Sequence, residues 1–161
     1  MSPSYSGNWY IQNVRTDTVI DLFNGNSADG TEVNGWATSL DGTNQHQIWT
    51  VADVGNGAVV IINVGTGTYI SAPPGLESSS NPSPSTVARV AGRLGTPIDK
   101  YLRWRIEPQS SGSIIFVSEA YPSKILDLTA SNPQNRTPVI VWSKTITDNQ
   151  RWKLQPANIS N

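Results

Sequence analysis

The sequence predicts an all-β chain closed into a threefold barrel of hairpins. Three observations predict it. A pattern recurs about every 50 residues, a period typical of arrays and propellers. Thirteen glycines and 11 prolines among 161 residues punctuate the chain too often for long helices, and no segment carries a helical period. A tryptophan closes each copy, in Gln47-Ile48-Trp49, Leu102-Arg103-Trp104 and Gln150-Arg151-Trp152.

The elements follow in order within each copy. The runs WYIQNV (9–14), AVVIINV (58–64) and SIIFVSEA (113–120) read as one strand used three times, rich in β-branched and aromatic residues and bounded by turn formers. Aligning Asn13, Asn63 and Glu119 brings Asp21, Ser71 and Asp127 into register eight residues later, within VIDLFNG, TYISAPP and KILDLTA. Fifteen residues separate Asp21 from Trp36, and 15 separate Asp127 from Trp142. The copies span about 7–56, 57–110 and 111–157 of a single domain, 1–161. About four short strands per copy give about twelve in all. Three copies are too few for an ordinary propeller, whereas a closed barrel removes exposed sheet edges. Trp49, Trp104 and Trp152 are then expected at equivalent, buried places in one shared core, each ring N–H needing a partner. The stretch SAPPGLESSSNPSPS (71–85) has no core-forming pattern and reads as a long irregular loop.

Composition narrows the function. A net charge of −1 without runs of like charge argues against nucleic acid or an anionic membrane as the main partner. There is no cysteine, so neither disulfides nor thiol chemistry. The start, MSPSYSGNWY, has no signal-peptide character, and a cytoplasmic location is expected. The sequons at Asn135 and Asn158 are accordingly read as chance. A lone histidine, His46, rules out a Cys–His pair and a histidine-rich metal site. No Gly-rich phosphate loop opens a helix. Glycoside hydrolysis needs two carboxylates flanking one cleft, and Asp21 and Asp127 belong to different copies. Neither a catalyst nor a cofactor is expected.

The threefold Gln-x-Trp signature, the IDL and LDL segments and the 15-residue Asp-to-Trp spacing resemble ricin-B-type lectins, most of all the cysteine-free lectins of mushroom fruiting bodies. The resemblance covers nearly the whole chain. It implies a β-trefoil, a six-stranded barrel capped by three hairpins, and binding of glycans that contain galactose or N-acetylgalactosamine, on glycoproteins or glycolipids. It leaves a homodimer open. Carried over by position, a sugar pocket uses the aspartate of the second strand, an aromatic floor 15 residues on, and an asparagine three residues before the tryptophan. The third copy supplies Asp127, Trp142 and Asn149. The first supplies Asp21 and Trp36, with His46 in place of the asparagine and Asn44 two residues earlier, a variant some mushroom members share. The second has Ser71 for the aspartate, Leu102 for the glutamine and no tryptophan near residue 86, so it is expected to lack the site. Lys144, two residues past Trp142, is placed to reach bound glycan or to stay solvated.

The chemistry is consistent with those residue types. The C–H face of a galactose-like ring lies on an aromatic ring. A carboxylate accepts from two neighbouring hydroxyls in charge-assisted bonds, and an amide or imidazole adds a donor that selects the epimer. Each position also has a plainer reading: Asp21, Asp127 and Asn149 as turn caps, Trp36 and Trp142 as core, His46 as a structural residue. A loop-acting protease inhibitor and a purely structural trefoil remain as other functions for such a chain.

Overall fold

The computed structural model describes residues 4–76 and 90–157. It contains twelve strands in one sheet system, four to each sequence copy. The first copy holds β1 (Gly7–Asn13), β2 (Val19–Leu22), β3 (Thr31–Trp36) and β4 (Trp49–Gly55). The second holds β5 (Ala58–Asn63), β6 (Tyr69–Ser71), β7 (Ala91–Arg93) and β8 (Trp104–Pro108), and the third β9 (Ile114–Ser118), β10 (Lys124–Leu128), β11 (Thr137–Ser143) and β12 (Trp152–Pro156). Among the described residues the only helices are single 3-10 turns.

Antiparallel pairing closes the outer strands of the copies into a ring: β1 with β4, β4 with β5, β5 with β8, β8 with β9, β9 with β12, and β12 back to β1. The inner pairs, β2–β3, β6–β7 and β10–β11, form three hairpins. β3 pairs with both β7 and β11, and the Val90 N–H donates to Val139 O at 3.0 Å, so the hairpins also close a triangle. This is a β-trefoil. The β4–β5 connection turns on Asn56 and Gly57, both at positive φ (56° and 77°), the geometry a two-residue hairpin loop demands.

Trp49, Trp104 and Trp152 are fully buried at the centre. Their indole N–H groups donate to the carbonyls of Ile20 (2.9 Å), Ile70 (3.0 Å) and Leu126 (3.3 Å). In every copy, therefore, a ring strand is tied to the first strand of its own hairpin, at the residue just before Asp21, Ser71 or Asp127. The copies are also tied to one another. The Asn13 side chain donates to Asn149 O and that of Asn63 to His46 O. In the third copy Glu119, standing where the asparagine would be, takes Arg103 as an ion-pair partner at 2.8 Å. Between hairpins, Leu128 packs on Gly35, where a Cβ would come within 2.8 Å of its Cδ1, and Leu22 packs likewise on Gly92.

One reading of the sequence needs correction. The start of the 71–85 stretch is not core-free: Ala72 and Leu76 are buried in the main cluster, and the Leu76 N–H donates to the Tyr121 hydroxyl. Proline and glycine break the strand pattern there without removing the apolar contacts. The remainder of that stretch, and position 86, lie outside the described residues.

Candidate functional site

Alternation along the hairpin strands sorts the site residues from the core. On β10, Leu126 and Leu128 join the main cluster, so Asp127 faces the other way. On β11, Val139 and Val141 join it, leaving Ile140 and Trp142 on the side of Asp127. Asp127 stands directly opposite Ile140. A cavity of about 310 Å³ opens on this face, lined by Asp127, Ile140, Trp142 and Asn149, with Thr129, Ala130, Thr145 and Thr147 around them. The three positions expected to act together in the third copy thus share one cavity.

The carboxylate is clamped. Asp127 Oδ2 accepts from Gln150 Nε2 at 2.9 Å and Oδ1 from Asn149 Nδ2 at 3.2 Å. Gln150, itself fully buried, also donates to Ser143 O at 2.9 Å. Its Oε1 accepts from the N–H groups of Ile146 (2.7 Å) and Thr145 (3.1 Å). Asn149 donates as well to Leu128 O and accepts from the Thr147 hydroxyl at 2.6 Å. Burial pushes the Asp127 carboxyl up to about 6, against the pull of the two amide hydrogen bonds. A buried, aimed carboxylate beside a half-buried indole is equipped to accept hydroxyl protons from a ring that lies on the aromatic face. Lys144 takes no part in the cavity wall: its ammonium pairs with Glu107 at 2.9 Å.

The first copy repeats the clamp and changes its surroundings. Asp21 Oδ2 accepts from Gln47 Nε2 at 3.0 Å, and that amide also donates to Ala37 O. Burial raises the Asp21 carboxyl above its ordinary value, while the Gln47 bond and the nearby His46 draw it back. Trp36 lies on the Asp21 side of the hairpin, but it faces Phe23, with ring centroids 6.3 Å apart. Phe23 occupies the position of Thr129. The Arg136 guanidinium, from the third copy, sits 4.2 Å over the Phe23 ring and is held by both oxygens of Glu32. Asn44 Oδ1 accepts from the His46 N–H, capping the turn. The His46 ring packs on Gly25, where any Cβ would collide with it. Asn44 and His46 therefore line a separate cavity of about 480 Å³ with Gly25, Gly65 and Thr66, whose wall includes neither Asp21 nor Trp36. In the second copy the Ser71 hydroxyl donates to Ala72 O, and Leu102 is buried.

Sequence reasoning left the two glutamines without a role, and they are the clamps. The signal was present: glutamine precedes the tryptophan in the two copies that carry aspartate, and leucine replaces it where serine does. Asn34 was also missed. It stands opposite Asp21 on β3, is fully buried, and neither of its side-chain polar atoms has a partner among the described residues.

Comparison with solved structures supports the architecture. The agglutinin of Rhizoctonia solani is 30% identical, with a TM-score of 0.78, 97% of this chain and 99% of that one being covered. The designed threefold-symmetric protein ThreeFoil is 20% identical, with a TM-score of 0.79, 92% of this chain and 97% of that one being covered. The Macrolepiota procera ricin B-like lectin, solved in complex with lactose, is 19% identical, with a TM-score of 0.75 over 97% of this chain and 99% of that one. At these identities the last two speak for the fold alone. No curated protein sequence matches the chain. The family model for ricin-type β-trefoil lectin-like domains matches residues 45–142, and with the closed ring, the hairpin triangle and the Gln-x-Trp clamps in place, the chain belongs to the ricin-type β-trefoil lectin domain-like family.

Proposed function

We propose that the protein is a non-catalytic lectin for glycans that present galactose or N-acetylgalactosamine, as part of glycoproteins or glycolipids. The third copy binds through Asp127, Trp142 and Asn149, and the first through Asp21 and Trp36. The observation that carries the reading is the Asp127 carboxylate, buried yet lining an open cavity, with its oxygens aimed by Gln150 and Asn149 and an indole beside it. Such a carboxylate takes two neighbouring hydroxyls while the indole takes the C–H face, and the Asn149 amide adds the donor that distinguishes epimers. A shallow site of this kind is weak alone, and two on one body gain from avidity. The agglutinin of Rhizoctonia solani, 30% identical over nearly the whole of both chains, is consistent with this reading.

The test is titration calorimetry with lactose on the wild type, Asp127→Asn and the double variant Asp21→Asn/Asp127→Asn. Asp127→Asn removes one class of sites, weakening it by about 1.5–3 kcal/mol, the range for hydrogen bonds to a charged group. The double variant fails to agglutinate. Undiminished binding by the double variant overturns the reading.

A further inference from the structure

We propose that the far end of the barrel carries a second binding site, separate from the sugar pockets, for a small amphiphilic cation: a primary ammonium on a single-ring hydrocarbon body. The inference does not depend on the lectin reading above. Trp49 opens β4 and Gly55 closes it; Trp104 opens β8 and Pro108 closes it. The tryptophan ends are tied to the hairpins that carry the sugar positions, so Gly55 and Pro108 mark the opposite end of the ring strands. There, where the first copy meets the second, lies a cavity of about 400 Å³.

Its wall is mostly hydrocarbon. Val59 belongs to the main core cluster, and Tyr5 and Ile106 pack against that cluster; Pro108 adds to the apolar lining. Tyr5 is fastened by its own carbonyl, which accepts from Trp9 Nε1 at 2.8 Å. Among the described residues the one charged group in the wall is Asp53. Its Oδ2 accepts from Ser6 Oγ at 3.1 Å and from Ser4 Oγ at 3.5 Å, and no cation among the described residues pairs with it. Arg105 on β8 is turned to the β4–β5 connection, where it donates to Asn56 O at 2.7 Å, and takes no part in the wall.

The fold does not require an aspartate at this place. Four residues after the tryptophan, the first copy has Asp53 where the second has Pro108 and the third Pro156, so the same strand end is built twice without a carboxylate. An apolar pocket with a few convergent polar groups, in the mouth of a β-barrel, is the usual form of a small-molecule site. Size limits the occupant: a dry apolar cavity of about 150 Å³ already holds benzene, so one ring with a short side arm fits here. The ring lies against Val59 and Ile106. The ammonium on the arm donates to Asp53 in a charge-assisted bond, and the face of Tyr5 attracts the same cation. A neutral alcohol of the same shape keeps the apolar contact and loses the charge, and an anion meets a carboxylate. The other role open to Asp53 is to fasten the N-terminal segment through Ser4 and Ser6, which an asparagine oxygen does as well.

The experiment uses two probes, 2-phenylethylamine as its ammonium at neutral pH and the uncharged 2-phenylethanol, each titrated into the full chain with amide and methyl NMR shifts as the readout. The amine is expected to move Gly57, Val59 and Ile106 saturably and to bind about tenfold more tightly than the alcohol, the discrimination of one hydrogen bond to a charged group. Asp53→Asn, which still accepts from both serines, is expected to bring the two probes to equal affinity while the urea midpoint stays where it was. The proposal is overturned by an amine that moves only residues around Asp127 and Trp142, by the lack of any saturable shift, by equal affinities in the wild type, or by a variant that keeps the preference. Location and preference are both read on the wild type, so the test stands whether or not the variant folds. Sugar binding enters none of these outcomes: a protein that takes the amine at Ile106 and no lactose overturns the lectin reading alone.

Discussion

Asp127 is the residue whose environment has the clearest consequence. Its carboxyl titrates near 6, against an ordinary value of 3.8, because burial disfavours the charge. The folded protein therefore holds this proton more tightly than the unfolded chain does. On this group's account, stability is fully present below about pH 4 and is lost as pH rises through 6, by roughly 2–3 kcal/mol. Ligand binding runs the other way, since hydroxyls donate to the ionised form. We expect third-site affinity to fall as pH drops through 6 while the protein grows no less stable from this residue, with protons released on binding near that pH. Calorimetry in buffers of different ionisation enthalpy checks both signs. Gln150 gives a second test. One buried side chain serves Asp127, Ser143, Thr145 and Ile146. Gln150→Leu, which copies Leu102 of the second repeat, should cost about 3–5 kcal/mol in thermal or urea unfolding, as several buried groups lose partners together. It should also abolish third-site binding. Gln150→Glu would keep the shape but set a second carboxylate against Asp127, and is expected to raise the Asp127 pKa further.

At the scale of elements, the recurring tryptophans are best understood as clasps. Each fills the core and also bonds the carbonyl one residue before the site position. Replacing Trp104 by Phe keeps most of the apolar area and removes the N–H, leaving the Ile70 carbonyl unpaired. The expected cost is about 1–3 kcal/mol, against about 3–5 kcal/mol for Trp104→Ala, and urea unfolding of the two variants separates clasp from filler. Because the second repeat carries the clasp without the aspartate–glutamine pair, these changes should leave sugar affinity at the other two sites unaltered. Much of this was legible in the sequence. Short β-branched runs and the 50-residue period indicated about four strands to each copy, the recurring Asp-to-Trp spacing paired Asp127 with Trp142, and the resemblance to ricin-B-type lectins added Asn149. What was not legible depended on side-chain direction across strands. Ile140 and Asn34 are named by the pairing register, not by their immediate sequence neighbours. Likewise, Phe23 meets Trp36 across its own hairpin, and Arg136 over Phe23 joins residues of different copies. Leu76 was concealed among prolines and serines, because a single buried leucine makes no period.

At the scale of the whole molecule, the ring of β1, β4, β5, β8, β9 and β12 means that every stave has a neighbour on both sides. A linear array can fray from its ends one repeat at a time. A hoop has no end from which to begin. Damage in one repeat opens seams with both others, so the copies should melt together, and heat capacity, tryptophan fluorescence and sugar binding should all be lost in one transition. Two transitions would show that a repeat lets go alone. The same hoop makes binding at one site a restraint on the entire protein: a sugar held only by the third repeat should also slow the proteolysis of the first and second that passes through opening of the ring, since that opening releases the ligand.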